Sequence, residues 1–296
     1  MRLATNQRDD VGKATAVAWE ETPCLLCGNV NQTPILEAAD AQGLGMRFLL
    51  VQCARCRLCF LNPRPDSVSI QQFYRADYPC HFGKQPGSVA CAPGWLRQLL
   101  PIQGQARLLD FGCGGGDFLR LMHALGWNVL GLDNSEAAVA RAREPLGLPA
   151  QVGTLPSPLW SDACFEAITM WQSLEHVHRP LDVLQAAYRL LTPDGKLLVT
   201  VPNFAGFGSR WFGSSWYGLD APRHLTHFTP ETLHRMLSKA GFSQIEIRQQ
   251  RHNSWIRHSA KRQGSWFLQT RLGASLTGWW GYATGRAECI LAIAAK

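Results

Sequence analysis

Short apolar runs alternate with amphipathic segments over most of the chain, and this alternation predicts strands and helices in turn. The runs are rich in Val, Leu, Ile and Phe, which is typical of strands buried on both faces of a sheet. The predicted strands are residues 107–110, 128–133, 149–152, 165–171, 196–201, 243–248 and 288–294. Strands that alternate with helical segments predict an α/β fold around one mostly parallel sheet.

Two of the helical segments carry clear start or stop signals. One begins near Pro180, and Leu184 falls on the face expected to meet the sheet. The other begins at Thr229-Pro230, where a capping Thr precedes a Pro in the first turn, and ends at Gly241. Both helices follow a predicted strand, as the α/β pattern requires.

The segment 108–119, LLDFGCGGGDFL, carries the strongest chemical signal. The first strand ends in Asp110, a glycine-rich turn follows, and a helix begins at once. Such a turn lets the backbone approach a ligand closely and directs the free N–H groups of the helix start towards it. The dinucleotide fingerprint G-x-G-x-x-G would need its third glycine at Asp117, so a dinucleotide is not predicted. The second strand ends in Asp133, whose carboxylate can accept from both hydroxyls of a ribose.

Together, LLDFGCGGG and VLGLD resemble the first two motifs of the class I S-adenosyl-L-methionine-dependent methyltransferases. The resemblance continues through FEAITMWQSLEHV (165–177) and LTPDGKLLVTVPN (191–203), which look like the fourth strand and the fifth-strand hairpin of that family. It covers roughly Leu96 to Arg248, with the four blocks in the family order. It implies a Rossmann-like seven-stranded sheet, mostly parallel, with helices on both faces and an antiparallel last strand.

The resemblance also implies which residues bind the cofactor. They are Asp110, Gly112, Gly114, Gly116, Asp133, Asn134, Thr154, Trp171 and Glu175. The glycines and Asp110 would hold the methionine portion, and Asp133 the ribose. The family usually places an acid after the third strand to meet the adenine amine. This chain has Gly153-Thr154-Leu155 there, so Thr154, the backbone or Asp162 is expected to take that place.

A methyl acceptor with a hydroxyl group or an acidic carbon needs a general base, and histidine is the usual choice near neutral pH. The segment WYGLDAPRHLTHFTPETL resembles the acceptor-facing loop of small-molecule methyltransferases, including those of sugar and quinone pathways. We predict that His224 or His227 is the base and that Arg223 orients the substrate. A structural hydrogen bond is the alternative for each histidine, and His176 is expected to order the loop above the cofactor.

Two C-x-x-C pairs near the start of the chain predict a tetrahedral zinc ribbon. The predicted Zn²⁺ ligands are Cys24, Cys27, Cys53 and Cys56. An alternating segment over 46–52 leads into the second pair, and Cys59 is a weaker candidate. Gly28 suits the first knuckle, whereas Arg57 in the matching place of the second does not. The alternative is four ordinary buried thiols.

The length and composition allow one large core with a small module beside it, since the chain has 296 residues and 46% hydrophobic content. We predict a disordered tail at 1–20, the ribbon at 21–65, a connecting segment that covers the cofactor at 66–106, and the methyltransferase domain at 107–296. No apolar run approaches the ~20 residues of a membrane span. Ten cysteines without an export signal favour reduced thiols or a metal, and a cytoplasmic location is expected.

The net charge of +7 is concentrated near the end of the chain. Residues 1–247 hold 21 basic and 21 acidic residues, whereas 248–296 hold eight basic residues against Glu288. A helical insertion is predicted at about 250–286, with apolar residues at helical spacing at Leu268, Leu272, Leu276 and Trp279. A basic, aromatic helix favours a peripheral membrane or acidic-ligand contact. The alternative is a helical flap that packs its apolar stripe on the sheet.

The sequence therefore predicts a methyltransferase that acts on an O or C atom of a small biosynthetic metabolite, either sugar-linked or lipophilic and quinone-like. A ribosomal RNA base methyltransferase is the first alternative, because a ribbon and a basic aromatic tail could bind RNA. Against it, MWQSLEHV lacks the Asn/Asp-Pro-Pro-aromatic signature of enzymes that methylate exocyclic base nitrogens. A non-enzymatic cofactor-binding scaffold is the second alternative, and the intact Asp110 and Asp133 oppose it.

Overall fold

The N-terminal part of the chain folds into a small, mainly antiparallel unit. The computed structural model describes residues 17–41, 43–74, 94–100, 106–144 and 147–296. The strands of this unit are β1 (Trp19–Glu20), β2 (Gln32–Ala39), β3 (Arg47–Cys53), β4 (Cys59–Leu61) and β5 (Arg64–Pro65). Strands β2, β3 and β4 pair antiparallel, and β1 pairs with β5. The predicted disorder of the tail is wrong for its last residues, which form β1, and residues 1–16 lie outside the described part.

The second sheet has seven strands and forms the centre of the molecule. Its strands are β6 (Arg107–Phe111), β7 (Asn128–Asp133), β8 (Ala150–Val152), β9 (Phe165–Trp171), β10 (Leu191–Pro202), β12 (Gln244–Gln250) and β13 (Cys289–Ala295). They lie in the order β12-β13-β10-β9-β6-β7-β8, and only β13 runs antiparallel to its neighbours. This confirms the predicted Rossmann-like sheet, and it places a reversal of strand order between β6 and β9.

Helices cover both faces of this sheet because alternate strand residues point to opposite sides. The helices are α1 (Gly94–Leu99), α2 (Asp117–Ala124), α3 (Glu136–Arg143), α4 (Pro180–Leu190), α5 (Phe207–Phe212), α6 (Pro230–Ala240), α7 (Asn253–Gln263), α8 (Trp266–Gln269) and α9 (Arg271–Ala283). Leu108 packs in one core with residues of α2 and α3, and Leu109 in the other with residues of α4 and α6. Thr229 caps α6 through a reciprocal bond with Thr232, and Gly241 ends it with φ +117°.

A short strand joins the two sheets. Strand β11 (Thr226–His227) comes from the segment after β10, yet it pairs antiparallel with β4 of the small sheet. Lys239 of α6 donates to the carbonyl of Leu26 at 2.6 Å. Phe60 of β4 shares a buried core with Leu233 of α6. The cysteine-bearing unit and the segment predicted to face the acceptor therefore form one packed structure.

The C-terminal insertion forms α7, α8 and α9, but its apolar stripe does not pack as a flap would. Leu268 is buried, whereas Leu272, Leu276 and Trp279 are 66%, 55% and 54% exposed. The alternative of a stripe packed on the sheet is therefore wrong for three of its four residues. None of the helices in the described part of the chain is long and apolar enough to cross a bilayer.

Candidate active site

A cavity of about 940 Å³ opens at the carboxyl ends of β6, β7, β8 and β9. Ligands of open α/β sheets bind at this edge, where the strand order reverses. Its sheet side is lined by residues within 110–118, 132–137, 153–156 and 171–183. The opposite wall comes from the N-terminal part of the chain, through Ser67, Ile70, Gln71 and Tyr74. The predicted covering segment at 66–106 thus contributes its first residues to the cavity, and residues 75–93 and 101–105 lie outside the described part.

The glycine-rich turn adopts a backbone that other residues rarely take. Gly112, Gly114 and Gly116 have φ values of +73°, +51° and +85°. A Cβ on Gly112 would lie 2.5 Å from the Cβ of Ser173, which is itself held by a bond from its hydroxyl to the carbonyl of Phe111. Only glycine at position 112 lets the turn pack this closely against Ser173, in the segment that follows β9.

Asp133 is held in place by backbone donors on both sides. Its Oδ2 accepts from the N–H of Gly114 at 2.9 Å, and its Oδ1 accepts from the N–H of Ser135 at 2.8 Å. Each carboxylate oxygen can accept more than one hydrogen bond, so both remain able to accept from ribose hydroxyls. Asn134 follows it in the cavity wall, as predicted for a cofactor contact.

Asp110 lies at the floor of the cavity and is almost completely buried. Burial raises the pKa of this carboxyl to about 7, although the hydroxyl of Thr169, which donates to it at 2.6 Å, acts in the opposite direction. A buried carboxylate is stabilised by a cation, and the ammonium group of a methionine moiety would supply one.

The remaining predicted cofactor contacts differ in their placement. Thr154 and Trp171 line the cavity, and the Trp171 ring packs 5.0 Å from that of Phe118. Asp162, an alternative adenine contact, is not among the described lining residues. Glu175 is not either, because it is fully buried beneath the cavity. The expectation that Glu175 faces the cofactor directly is therefore not met by the geometry.

Glu175 instead belongs to a buried cluster with two histidines. Burial raises the pKa of its carboxyl to about 8, and neither carboxylate oxygen has a hydrogen-bond partner within the described residues. His224 Nε2 lies 3.9 Å from its Oε1. One donor atom each of Glu175, His176 and His224 lies within 4.8 Å of the others, an arrangement that could hold a cation.

Two histidines line the cavity, His176 and His178. His178 Nε2 donates to the carbonyl of Pro65 at 3.0 Å. The Nδ1 of His176 lies 3.0 Å from the carbonyl oxygen of Arg223 and 2.9 Å from the hydroxyl of Tyr74. Because a carbonyl can only accept, Nδ1 carries the proton and Nε2 keeps its lone pair. Burial lowers the pKa of this imidazole to about 3, so it is neutral at physiological pH.

None of the three residues predicted to act on the acceptor is among the described residues that line the cavity. The His224 ring packs edge-on against His176 at 4.6 Å, and its Nδ1 donates to the carbonyl of Gly218. Arg223 forms a bidentate pair with Asp220. Burial alone would raise the pKa of Asp220, but Arg223 outweighs it and holds that pKa below its ordinary value.

His227 lies on β11, where its ring is buried and packs 5.5 Å from that of Phe204. Burial lowers its pKa to about 3, and its Nε2 has no hydrogen-bond partner within the described residues. His227 is not among the described residues that line the cavity. The catalytic roles of His224, His227 and Arg223 stay predictions.

Two polar residues of this region were not assigned a role from the sequence. Tyr74 comes from the N-terminal part of the chain, and its hydroxyl contacts His176, which is far away in sequence. Asp220 precedes Arg223 by three residues. This spacing of opposite charges is the sequence signal that could have predicted their ion pair.

The four predicted metal ligands come together at the tip of the small sheet. The Sγ atoms of Cys24 and Cys56 lie 3.3 Å apart and those of Cys27 and Cys53 3.6 Å apart. All four lie within 4.8 Å of one another, which fits the ~3.8 Å separation of sulfurs around tetrahedral Zn²⁺. Cys59 is not part of this cluster.

The two knuckles have the same backbone. Gly28 N–H donates to the carbonyl of Cys24, and Arg57 N–H donates to that of Cys53. Both residues have positive φ, at +73° and +66°. Arg57 therefore adopts the conformation that the second knuckle requires, although it is not a glycine.

Comparisons with known proteins agree with this geometry. A family profile described as a methyltransferase domain matches residues 87–247, more than half of the chain. The chain is 36% identical over 118 residues to a ubiquinone biosynthesis O-methyltransferase of Paracidovorax citrulli, covering 37% of this chain and 49% of the relative. It is 30% identical over 186 residues to a ubiquinone biosynthesis O-methyltransferase of Cereibacter sphaeroides, covering 58% of this chain and 71% of the relative. The chain thus spans about half the length of the first of these relatives.

A solved structure shares the fold. Phosphoethanolamine N-methyltransferase 2 of Haemonchus contortus, in complex with S-adenosyl-L-methionine, superposes with a TM-score of 0.55 at 19% identity. The match covers 80% of this chain and 62% of that protein. Sheet order, glycine turn, paired aspartates and family profile lead to one conclusion: the chain belongs to the class I S-adenosylmethionine-dependent methyltransferases.

Proposed function

We propose that this enzyme methylates an acidic oxygen, such as that of a phenol or an enol, on a small lipophilic metabolite. The observation that carries the proposal is the neutral His176 imidazole in the wall of the same cavity as the glycine turn. A cavity of about 940 Å³ lies near the upper end for small-molecule sites, which leaves room for an acceptor beside the cofactor. Ile70, Phe118 and Val177 give it apolar walls.

The residues present fit S-adenosylmethionine, which supplies a methyl group already attached to a good leaving group. The chain must then align the acceptor and remove its proton. In this proposal the proton goes to His176 Nε2, the ring nitrogen that keeps its lone pair. An imidazole whose pKa is depressed to about 3 is a weak base, so it suits an acceptor that is itself acidic better than a sugar alcohol.

The names of the similar proteins support the same acceptor class, since they are O-methyltransferases of ubiquinone biosynthesis. An acidic carbon of a sugar-linked substrate satisfies the same proton requirement and stays the alternative. In this scheme Tyr74 and the Arg223 carbonyl fix the tautomer of His176, and His224 positions its ring. We also propose that Cys24, Cys27, Cys53 and Cys56 hold a structural Zn²⁺.

The test measures transfer of labelled methyl groups to a panel of phenols, enols and nucleotide sugars by the wild type and three single variants. His176→Ala should lower kcat about 10²- to 10⁴-fold and leave the Kd of S-adenosylmethionine within about twofold, because no implied cofactor contact changes. His224→Ala should lower kcat less, and His227→Ala least. Calorimetric Kd values and melting temperatures of all variants separate catalysis from folding.

Two outcomes would contradict this assignment. Loss of turnover in His224→Ala or His227→Ala with His176→Ala unaffected would return the base to the residues predicted from the sequence. Label that enters RNA and no small molecule would favour the ribosomal RNA alternative.

A further inference from the structure

The C-terminal helices expose an unusual number of large apolar side chains. Seven of the fifteen exposed large hydrophobic residues in the described part of the chain fall within 266–282. They are Trp266, Phe267, Leu272, Leu276, Trp279, Trp280 and Tyr282, and together with the neighbouring Trp211 they are called here the aromatic surface. Leu272, Leu276, Trp279 and Trp280 follow the i, i+4, i+7, i+8 spacing of a single helix face.

Helix α9 is built so that this face cannot turn inwards. Its buried residues are all small, namely Gly273, Ala274, Gly278 and Gly281. A Cβ on Gly281 would lie 2.9 Å from the carbonyl oxygen of Arg286, so at this position the inner side has no room even for alanine. Small residues inside and large apolar residues outside are the reverse of an ordinary surface helix. The exposure therefore follows from the sequence of the helix.

The segment that forms α7, α8 and α9 carries positive charge and contains no acidic residue. The exposed cations in and beside this segment are Arg251, Arg257, Lys261, Arg262, Arg271 and Arg286. No acid occurs between Glu246 and Glu288, and Glu288 is buried with its carboxylate bound to Trp216 and Gly208. The Arg251 guanidinium lies 3.7 Å from the centre of the Trp279 ring. The Arg286 guanidinium lies 6.0 Å from the centre of the Trp280 ring. At least these two cations therefore lie beside the apolar face and can reach the same partner.

We propose that the aromatic surface docks on an anionic lipid bilayer. Tryptophan and tyrosine suit the boundary between headgroups and acyl chains, leucine enters the apolar side, and arginine and lysine attract anionic headgroups. A second copy of this chain would bring the same six cations against themselves, which opposes a symmetric contact. The phosphates of a nucleic acid would pair with the cations, but a nucleic acid has no apolar phase in which two exposed leucines could be buried.

The docking surface is fixed to the rest of the enzyme. Ser259 of α7 accepts from the N–H of Tyr217, three residues before Asp220. Apart from Trp211, the residues of the aromatic surface lie beyond residue 247, where the match to the methyltransferase profile ends. The surface is therefore an addition to the shared domain, and the inference does not depend on which acceptor the enzyme uses.

Vesicle flotation with the full-length protein tests the proposal. The protein should float with phosphatidylcholine vesicles that contain phosphatidylglycerol, float poorly with phosphatidylcholine alone, and bind less well at high salt. The double variant Leu272→Ser/Leu276→Ser should weaken binding about tenfold or more, because both side chains leave the apolar phase. Val30→Ser and Leu159→Ser, which change exposed apolar residues outside the aromatic surface, are matched controls and should bind as the wild type.

Charge is tested separately with Lys261→Glu and Arg271→Glu, each expected to weaken binding about fivefold or more, against Arg189→Glu on α4 as the control. All changed residues are exposed, and unchanged circular dichroism would confirm folding. Absence of flotation with the anionic vesicles would overturn the proposal, as would binding that Leu272→Ser/Leu276→Ser leaves intact. A dimer in sedimentation that the same double variant dissociates, without vesicle binding, would assign the surface to a second copy instead.

Discussion

At the scale of single residues, Gly112 is the position where the cofactor turn tolerates least change. Alanine there would meet Ser173 and would also be strained at φ +73°. We expect Gly112→Ala to weaken S-adenosylmethionine binding at least about tenfold, since backbone strain of about 1–2 kcal/mol adds to a clash that displaces the turn. Calorimetric titration and thermal unfolding measure both effects.

Gly285→Ala is the matched control for this change. Gly285 has nearly the same φ, +71°, but a Cβ there meets nothing within 4 Å. It should lower the melting temperature through strain alone and leave cofactor affinity unchanged. Equal behaviour of the two variants would show that the contact with Ser173 has no role in the turn.

Asp110 makes stability depend on pH. Its pKa is about 7 in the folded protein against 3.8 as the ordinary value, so between these pH values the folded state holds a proton that the unfolded state has lost. The stabilising contribution is full below the unfolded pKa and is lost as pH rises through about 7, by on the order of 1 kcal/mol per pH unit. Asp110→Asn should remove this slope and weaken S-adenosylmethionine binding.

Melting temperatures from pH 4 to 8 measure the slope, and Asp194→Asn, which removes an exposed carboxyl, is the control. An unchanged slope in Asp110→Asn would mean that this carboxyl does not hold its proton in the folded protein.

At this scale, the sequence locates a side chain best where the backbone alone determines its position. Asp110 lies one residue before the end of β6, and Asp133 ends the adjacent parallel strand β7, so their positions follow from strand boundaries that the apolar pattern already contains. His224 and His176 were ranked in the wrong order as cavity-facing groups, because their depth depends on packing between segments far apart in sequence. The contact of Tyr74 with His176 sets that depth, and no local pattern contains it.

At the scale of elements, the link between β4 and β11 couples the cysteine cluster to the segment that holds His224. Cys53 ends β3, Cys56 lies between β3 and β4, and β11 pairs with β4. Cys53→Ser should lose bound zinc, lower the melting temperature, and reduce turnover more than S-adenosylmethionine affinity. Metal analysis of the purified protein, unfolding and steady-state kinetics measure the three effects.

Cys164→Ser changes a cysteine outside the cluster and should keep its zinc and its activity. A Cys53→Ser variant that melts earlier but turns over normally would limit zinc to folding of the small sheet. Wild-type protein without zinc would contradict the metal assignment itself.

Element-scale prediction was accurate where start and stop signals are local. Helix α4 begins at Pro180 and α6 ends before Gly241 as predicted, and β7 and β9 have the predicted bounds. Periodicity did not predict which face of α9 is buried. A stripe of Leu and Trp identifies an apolar face, but it does not show whether that face packs on the protein or is exposed. The decisive signal was the opposite stripe of Gly and Ala, which allows close approach only on that side.

At the scale of the whole molecule, the cavity is closed by two parts that are distant in sequence. The sheet supplies the turn and the paired aspartates, and residues 67–74 supply the facing wall. The division into a ribbon and a separate methyltransferase domain is visible in the cysteine spacing and the motif order. The packing of these two parts into one structure, through β11 and the shared core, is not visible in the sequence. A strand of two residues is too short to show an alternating pattern of apolar and polar residues.

This two-sided construction predicts how the cofactor changes local stability. Saturating S-adenosylmethionine at about 100 times its Kd should stabilise the folded state by about 2.7 kcal/mol, and hydrogen exchange should slow wherever the cavity wall becomes ordered. We expect protection at 112–117 and 133–137 and also at 70–74, with no change in α9, which lies outside the described lining. Asp133→Ala should abolish the protection at all three segments. If only the sheet side is protected, the N-terminal wall contacts the acceptor and not the cofactor. If both sides are protected, the cysteine-bearing unit is part of the cofactor site.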